Sequence, residues 1–79
     1  MEIDIIISPV VAKKFTEGKR NFKMKIKEGY TFENFKKELG FLDKNNFRLI
    51  FIVNGEIIYG DKMLNEGDVV KILPFAEGG

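Results

Sequence analysis

Residues 48–74, RLIFIVNGEIIYGDKMLNEGDVVKILP, carry the pattern that decides the fold. Arg48 to Val53 is a run of aliphatic and aromatic side chains, the composition of a strand. Asn54-Gly55 follows it directly. Both central residues of a type I′ turn need a positive φ, and Asn-Gly adopts that most readily, so the chain is expected to fold back as a hairpin. Glu56 to Tyr59 is the short return strand. Gly60 to Asp68 is a connecting loop containing Leu64 and Gly67. Val69 to Leu73 is the last strand, and Pro74 stops it, because proline brings no N–H to a ladder.

Upstream, Glu28-Gly29 turns the chain into its clearest helix. Thr31 reads as the N-cap, and Glu33 sits in the first turn, where the helix dipole favours a carboxylate. Tyr30 is placed to pack on Phe35 across the cap. Phe32, Phe35 and Leu39 recur at helical spacing and mark a buried face, with Lys36, Lys37 and Glu38 turned away. This aromatic stripe reads as core and not as a ligand pocket. Gly40 suits the left-handed position that ends a helix. Beyond it, Asp43 to Asn46 is a polar loop.

Asn21 to Lys27 alternates Phe22, Met24 and Ile26 with Lys23, Lys25 and Lys27. That period of two buries one face and wets the other. The lysine row marks an edge strand, since like charges discourage further pairing. It reads as a solvated edge in preference to a basic docking stripe. Glu2 to Ser8 is a strand ended by Pro9, and Ile5-Ile6-Ile7 is apolar on both sides, which suits a central position. Pro9 to Arg20 leaves two options open. Val10, Val11 and Phe15 form a short helical turn closed by Gly18, or the segment is a long hairpin loop.

The order is therefore strand, strand, helix, then three strands. One helix on one sheet face makes a two-layer α+β domain. The layout that fits is a β-grasp, a mixed sheet of four to five strands wrapped on one helix, with residues 1–79 as a single domain. First and last strands are expected side by side, parallel and central. Parity then places Leu49, Phe51, Val53, Val70 and Ile72 toward the helix. Ile50, Ile52, Leu73 and Phe75 are left as an exposed apolar patch, a surface that a partner covers.

Composition narrows the function. The chain has 79 residues, no Cys and no His. A chain of this size buries about 60–65% of its unfolded surface, enough for one core with little room for an enclosed active site. Thiolate chemistry is excluded, and the commonest general base and metal ligand near neutral pH is missing. The acids are scattered, with no paired-carboxylate or phosphate-loop spacing. A net charge of +1 gives no strong field for nucleic acid or an anionic membrane. Ile5-Ile6-Ile7 is too short to span a bilayer, and the start lacks a signal peptide's basic region. The expectation is a cytoplasmic, non-enzymatic protein that holds no metal or cofactor and meets neither membrane nor nucleic acid.

The tail, Pro74-Phe75-Ala76-Glu77-Gly78-Gly79, then draws attention. Residues 74–79 are expected as a flexible arm, reaching at most about 20 Å. A carboxylate is a poor acyl donor until activated, and an activating enzyme must close around it to exclude water. Glycines lack a Cβ, so a narrow channel admits them. Gly79 is thus the expected site of chemistry, with Gly78 beside it. Ile50, Ile52, Leu73, Pro74, Phe75, Ala76 and Glu77 are the expected partner contacts.

Val53-Asn54-Gly55-Glu56, Leu64-Asn65-Glu66-Gly67-Asp68-Val69-Val70, Ile72-Leu73-Pro74 and Gly78-Gly79 together resemble the MoaD/ThiS family of ubiquitin-like sulfur carriers and related archaeal modifiers. Glu28-Gly29-Tyr30-Thr31 is similar too, and Arg48-Leu49-Ile50-Phe51 resembles a strand of ubiquitin. Two positions depart: Phe75 stands where a second proline is frequent, and Glu77 where a small residue precedes the glycines. The resemblance implies that an E1-like enzyme adenylates Gly79 with ATP and Mg²⁺ and that the adenylate becomes a thiocarboxylate. The sulfur would pass to the large subunit of molybdopterin synthase or, in thiamine biosynthesis, to thiazole synthase. In modifier branches the activated glycine joins a target lysine instead. A β-grasp binding domain with no reactive terminus is the reading from a different class.

Overall fold

A computed structural model describes residues 1–41 and 49–75. The elements run β1 (Glu2–Ile7), α1 (Pro9–Phe15), β2 (Asn21–Lys25), α2 (Phe32–Leu39), β3 (Leu49–Val53), β4 (Glu56–Ile57) and β5 (Val69–Pro74). The sheet order is β2-β1-β5-β3-β4. β1 and β5 pair in parallel, and the other neighbours pair antiparallel. This is the expected α+β β-grasp, with the first and last strands adjacent inside the sheet and β2 on one edge. The polar loop Asp43–Asn46 and the strand start at Arg48 fall outside the described residues.

The sheet obeys period two. Ile3, Ile5 and Ile7 of β1 are buried, as are Val70 and Ile72 of β5 and Val53 of β3. Opposite them on α2, Phe32 and Phe35 are buried and Leu39 packs alongside. Each such side chain withdrawn from water contributes about 1.5–3 kcal/mol. Phe51 meets Phe32 edge-on at 4.9 Å between ring centres, and Phe41 at 5.7 Å.

Helix α2 begins as its cap chemistry dictates. Thr31 Oγ1 accepts from Asn34 N at 3.2 Å, while Asn34 Oδ1 accepts from Thr31 N at 3.0 Å. Two orphan donors are thereby satisfied reciprocally. Glu33 N donates to Asp61 Oδ1 at 2.8 Å, so the loop after β4 supplies a further cap. Gly40 ends the helix at φ 81°, the left-handed conformation that a Cβ disfavours.

The sheet wraps two helices rather than one. Pro9 to Arg20 contains α1 and not a plain hairpin loop. Pro9 occupies the first helical position, where its missing N–H leaves nothing unsatisfied. Val11 and Ala12 are fully buried, whereas Val10 is 53% exposed. Val11 and Ala12 therefore form the inward side of α1, and Val10 lies on its open side. Thr16 N and Gly18 N both donate to Ala12 O, at 2.8 and 2.9 Å, and close the helix. A second correction concerns Pro74, which pairs with Leu49 as the last residue of β5 rather than stopping the strand before it.

Asn54 and Gly55 have φ of 50° and 87°, as a type I′ hairpin requires. Asn54 also ties the hairpin to β5. Its Nδ2 donates to Asp68 Oδ1 at 2.8 Å, and its Oδ1 accepts from Val69 N at 2.9 Å. Asp68 is buried, and its Oδ2 accepts from Asn65 N at 2.8 Å. Leu64 fills the core beneath this loop.

The Tyr30 hydroxyl donates to Glu38 Oε1. Burial, then the bond to Glu38, pushes the phenol well above its ordinary 10.0. A pKa raised by folding contributes stability that is complete below about pH 10 and lost as pH climbs through the folded value. Tyr59 is the other tyrosine. In a Tyr59→Phe background, ultraviolet absorbance therefore reports Tyr30 alone. Its phenolate is expected to appear only well above pH 10, and a variant that also carries Tyr30→Phe is expected to lose less stability there. Ionisation of Tyr30 near pH 10 in folded protein contradicts this.

Candidate functional site

The sequence-predicted site divides into a sheet face and a chain end. β5 runs out at Pro74 beside Leu49 of β3. On its other side, Ser8 N donates to Ile72 O at 3.0 Å, at the entry to α1. The chain therefore leaves the sheet between β3 and the start of α1. Phe75 follows, 51% exposed. Ala76, Glu77, Gly78 and Gly79 lie outside the described residues.

The face turned away from α2 brings the predicted sheet residues together. Ile50 stands opposite Leu73, and Ile52 lies between Lys71 on β5 and Ile57 on β4. Period two forces this, because their neighbours Leu49, Phe51, Ile72 and Val70 turn inward. Cross-strand packing leaves Ile50, Ile52 and Leu73 half-buried rather than fully open. α1 does not shield them, since Val11 and Ala12 belong to the core on the α2 side.

Three further apolar residues extend this face beyond the sequence reading. Ile6 pairs with Lys71 and is 38% exposed, Val69 lies beside Asp4, and Ile57 is 48% exposed. Ile6 was concealed because an unbroken Ile5-Ile6-Ile7 run does not reveal which side faces in. The signal for Ile57 was available: a two-residue turn after Val53 sets it opposite Ile52.

At the far edge, Lys23 Nζ bonds Asp4 Oδ1 at 2.9 Å, and this hydrogen bond raises the lysine pKa. Among the described residues no three His, Cys, Asp or Glu side chains gather as a metal-holding group. No helix in the described residues is long and apolar enough to cross a membrane. The arrangement offers a half-open apolar surface beside the point where the last residues depart. It is suited to docking.

A protein-family model described as the ThiS family matches residues 11–79. The chain belongs to the ThiS family. Comparisons with curated proteins and with solved structures returned no match. ThiS-family proteins are small ubiquitin-like sulfur carriers and not enzymes themselves. They work with an E1-like enzyme and a sulfur-transfer partner. The match begins in α1 and runs through β2, α2, β3, β4 and β5 to Gly79, leaving out β1 with Ile6.

Proposed function

We propose that this ThiS-family carrier works through the carboxylate of Gly79, which an E1-like enzyme activates and converts to a thiocarboxylate. The observation that carries the reading is the family match running to residue 79, across the two glycines that follow the last strand. A Gly79 carboxylate oxygen attacks the α-phosphorus of Mg²⁺-bound ATP, and pyrophosphate leaves. Sulfide then attacks the acyl carbon of the adenylate, and AMP leaves. The product carries sulfur where one oxygen was, with no change in the oxidation state of the carbon.

The sulfur goes to a biosynthetic acceptor, molybdopterin synthase's large subunit or thiazole synthase. ATP and Mg²⁺ belong to the activating enzyme, and the carrier acts as the substrate. Gly78 and Gly79 carry no Cβ and fit a narrow, closed channel. Pro74, Phe75, Ala76 and Glu77 line the approach, and Ile50, Ile52 and Leu73 seat the body of the carrier outside it. The cytoplasm, where ATP and the acceptors reside, is the proposed compartment.

ATP–pyrophosphate exchange by the cognate E1-like enzyme tests the activation step. Exchange is expected only when the carrier is present. Absence of carrier-dependent exchange with an enzyme that activates another carrier contradicts it. Docking has its own test. The variant I50E/L73E puts two carboxylates on the apolar face, which costs association far more than folding. The carrier's KM is expected to rise at least tenfold, with kcat and thermal midpoint little changed. An unchanged KM places docking elsewhere.

A further inference from the structure

Net charge hides a division along this chain. Residues 13–27 hold seven of its 13 Lys and Arg but one of its 12 Asp and Glu, a net of +6, while all other residues together carry −5. The basic segment closes α1 and forms β2, the edge strand farthest from the β3–β4 hairpin.

Among the described residues no strand pairs with the outer side of β2. Ile26 N donates to Met1 O at 2.7 Å, the Met1 amine donates to Ile26 O at 3.1 Å, and Ile7 N donates to Arg20 O at 2.8 Å. Between them, Met24 faces Ile3 and Phe22 faces Ile5. Antiparallel pairing alternates, so the even residues spend their N–H and C=O groups on β1. Asn21, Lys23 and Lys25 direct theirs away from the sheet.

A depression flanks β2 on each face. On the helix side, Phe15, Thr16, Lys19, Phe22 and Leu39 line an open groove of about 300 Å³ that Glu17 and Glu38 border. On the outer face, Ile6, Asn21, Lys23 and Val69 line one of about 350 Å³ with Asp4. An added strand alternates its side chains between the helix-side groove and the lysine face, while the outer depression, which reaches Val69 of β5, lies inboard of the edge.

We infer that the β2 edge is a second docking site, which takes an extended acidic segment of a partner protein as a sixth strand. Asn21, Lys23 and Lys25 supply the main-chain hydrogen bonds. Carboxylates on the outer face meet Lys25 and Lys27, Lys23 being already bonded to Asp4, and apolar side chains enter the groove over Phe22 and Leu39. The lysine row that repels a second copy of this edge attracts an acidic strand, so one device serves exclusion and selection alike. The inference is independent of Gly79 chemistry.

The probe is a capped peptide of about eight residues alternating Glu and Val, long enough to run beside β2. It is titrated into the full chain while backbone amides are followed by NMR. Saturation is expected to shift Asn21, Lys23 and Lys25 and to slow exchange of their N–H groups. Affinity is expected to fall at least tenfold as salt rises from about 50 to about 300 mM, because these charges are exposed. A Lys–Val peptide is expected not to bind. Lys25→Pro deletes one edge donor where an edge strand tolerates proline, and is expected to weaken binding at least tenfold. Should that variant misfold, Lys25→Glu tests the charge contribution and the wild-type amide protection tests the pairing. Unprotected edge amides at saturation, shifts centred on Ile50 and Leu73, or equal affinity for a linear polyphosphate overturn the inference.

Discussion

Phe35→Ala removes a large share of the protein's stability at room temperature. Phe35 is fully buried and packs against Phe32 and Phe41 at 5.9 and 6.0 Å between ring centres. Truncating a buried Phe to Ala costs about 3–5 kcal/mol, the lost transfer free energy plus the cavity left behind. A domain of this length is stable by only about 4–12 kcal/mol, so one side chain removes a large fraction of it. Urea denaturation followed by circular dichroism measures it. With a denaturant slope near 1 kcal/mol per molar, the midpoint is expected to fall by about 3 M or to vanish. Val10→Ala, on the open side of α1, serves as control and is expected to stay within about 0.5 kcal/mol of wild type. A Phe35→Ala midpoint that matches the control contradicts the placement of α2.

Deleting Gly79 abolishes activation and leaves the fold intact. Every described core residue lies at or before Ile72, so the deletion removes none of them. The acyl carbon is removed, and the carboxylate that remains belongs to Gly78, one residue short of the reacting position. Catalytic steps tolerate little misplacement, and a shift of about 1 Å costs on the order of a hundredfold. One residue shortens an extended arm by roughly 3.3–3.6 Å. Carrier-dependent pyrophosphate exchange is therefore expected to fall by more than about a hundredfold. The thermal midpoint is expected to match wild type. Retained exchange would move the chemistry off Gly79. A lowered midpoint would give the last residue a structural part that the core does not predict.

The elements legible in the sequence were those whose signals repeat or are chemically specific. Lys23, Lys25 and Lys27 alternating with Phe22, Met24 and Ile26 gave β2 its edge. Thr31 and Gly40 bracketed α2 because each end of a helix needs a particular side chain or backbone conformation. Asn54-Gly55 marked the β3–β4 hairpin for the same reason. The sequence does not decide α1, because seven residues make two turns, too few to establish a helical period. Its existence rests on Val11 and Ala12 reaching the core, a tertiary fact. The Asn54–Asp68 tie was likewise hidden, since it exists only once β3 and β5 are in register. Parity between β3 and β5 exposed Ile50, Ile52 and Leu73 as one surface, while uninterrupted isoleucines in β1 masked Ile6. The lysine row of β2 is legible and reads as a solvated edge in preference to a docking stripe, while the wider basic segment of residues 13–27 is hidden by a whole-chain charge of +1.

The most direct test is the intact mass of the full chain after incubation with its E1-like enzyme, ATP, Mg²⁺ and sulfide, followed by proteolysis to locate the change. The expected result is a gain of about 16 Da, sulfur for oxygen, confined to the peptide that ends in Gly79. Pyrophosphate exchange proceeding while that peptide keeps its original mass contradicts a sulfur carrier, and a Gly79–lysine linkage in its place assigns the activated end to protein conjugation.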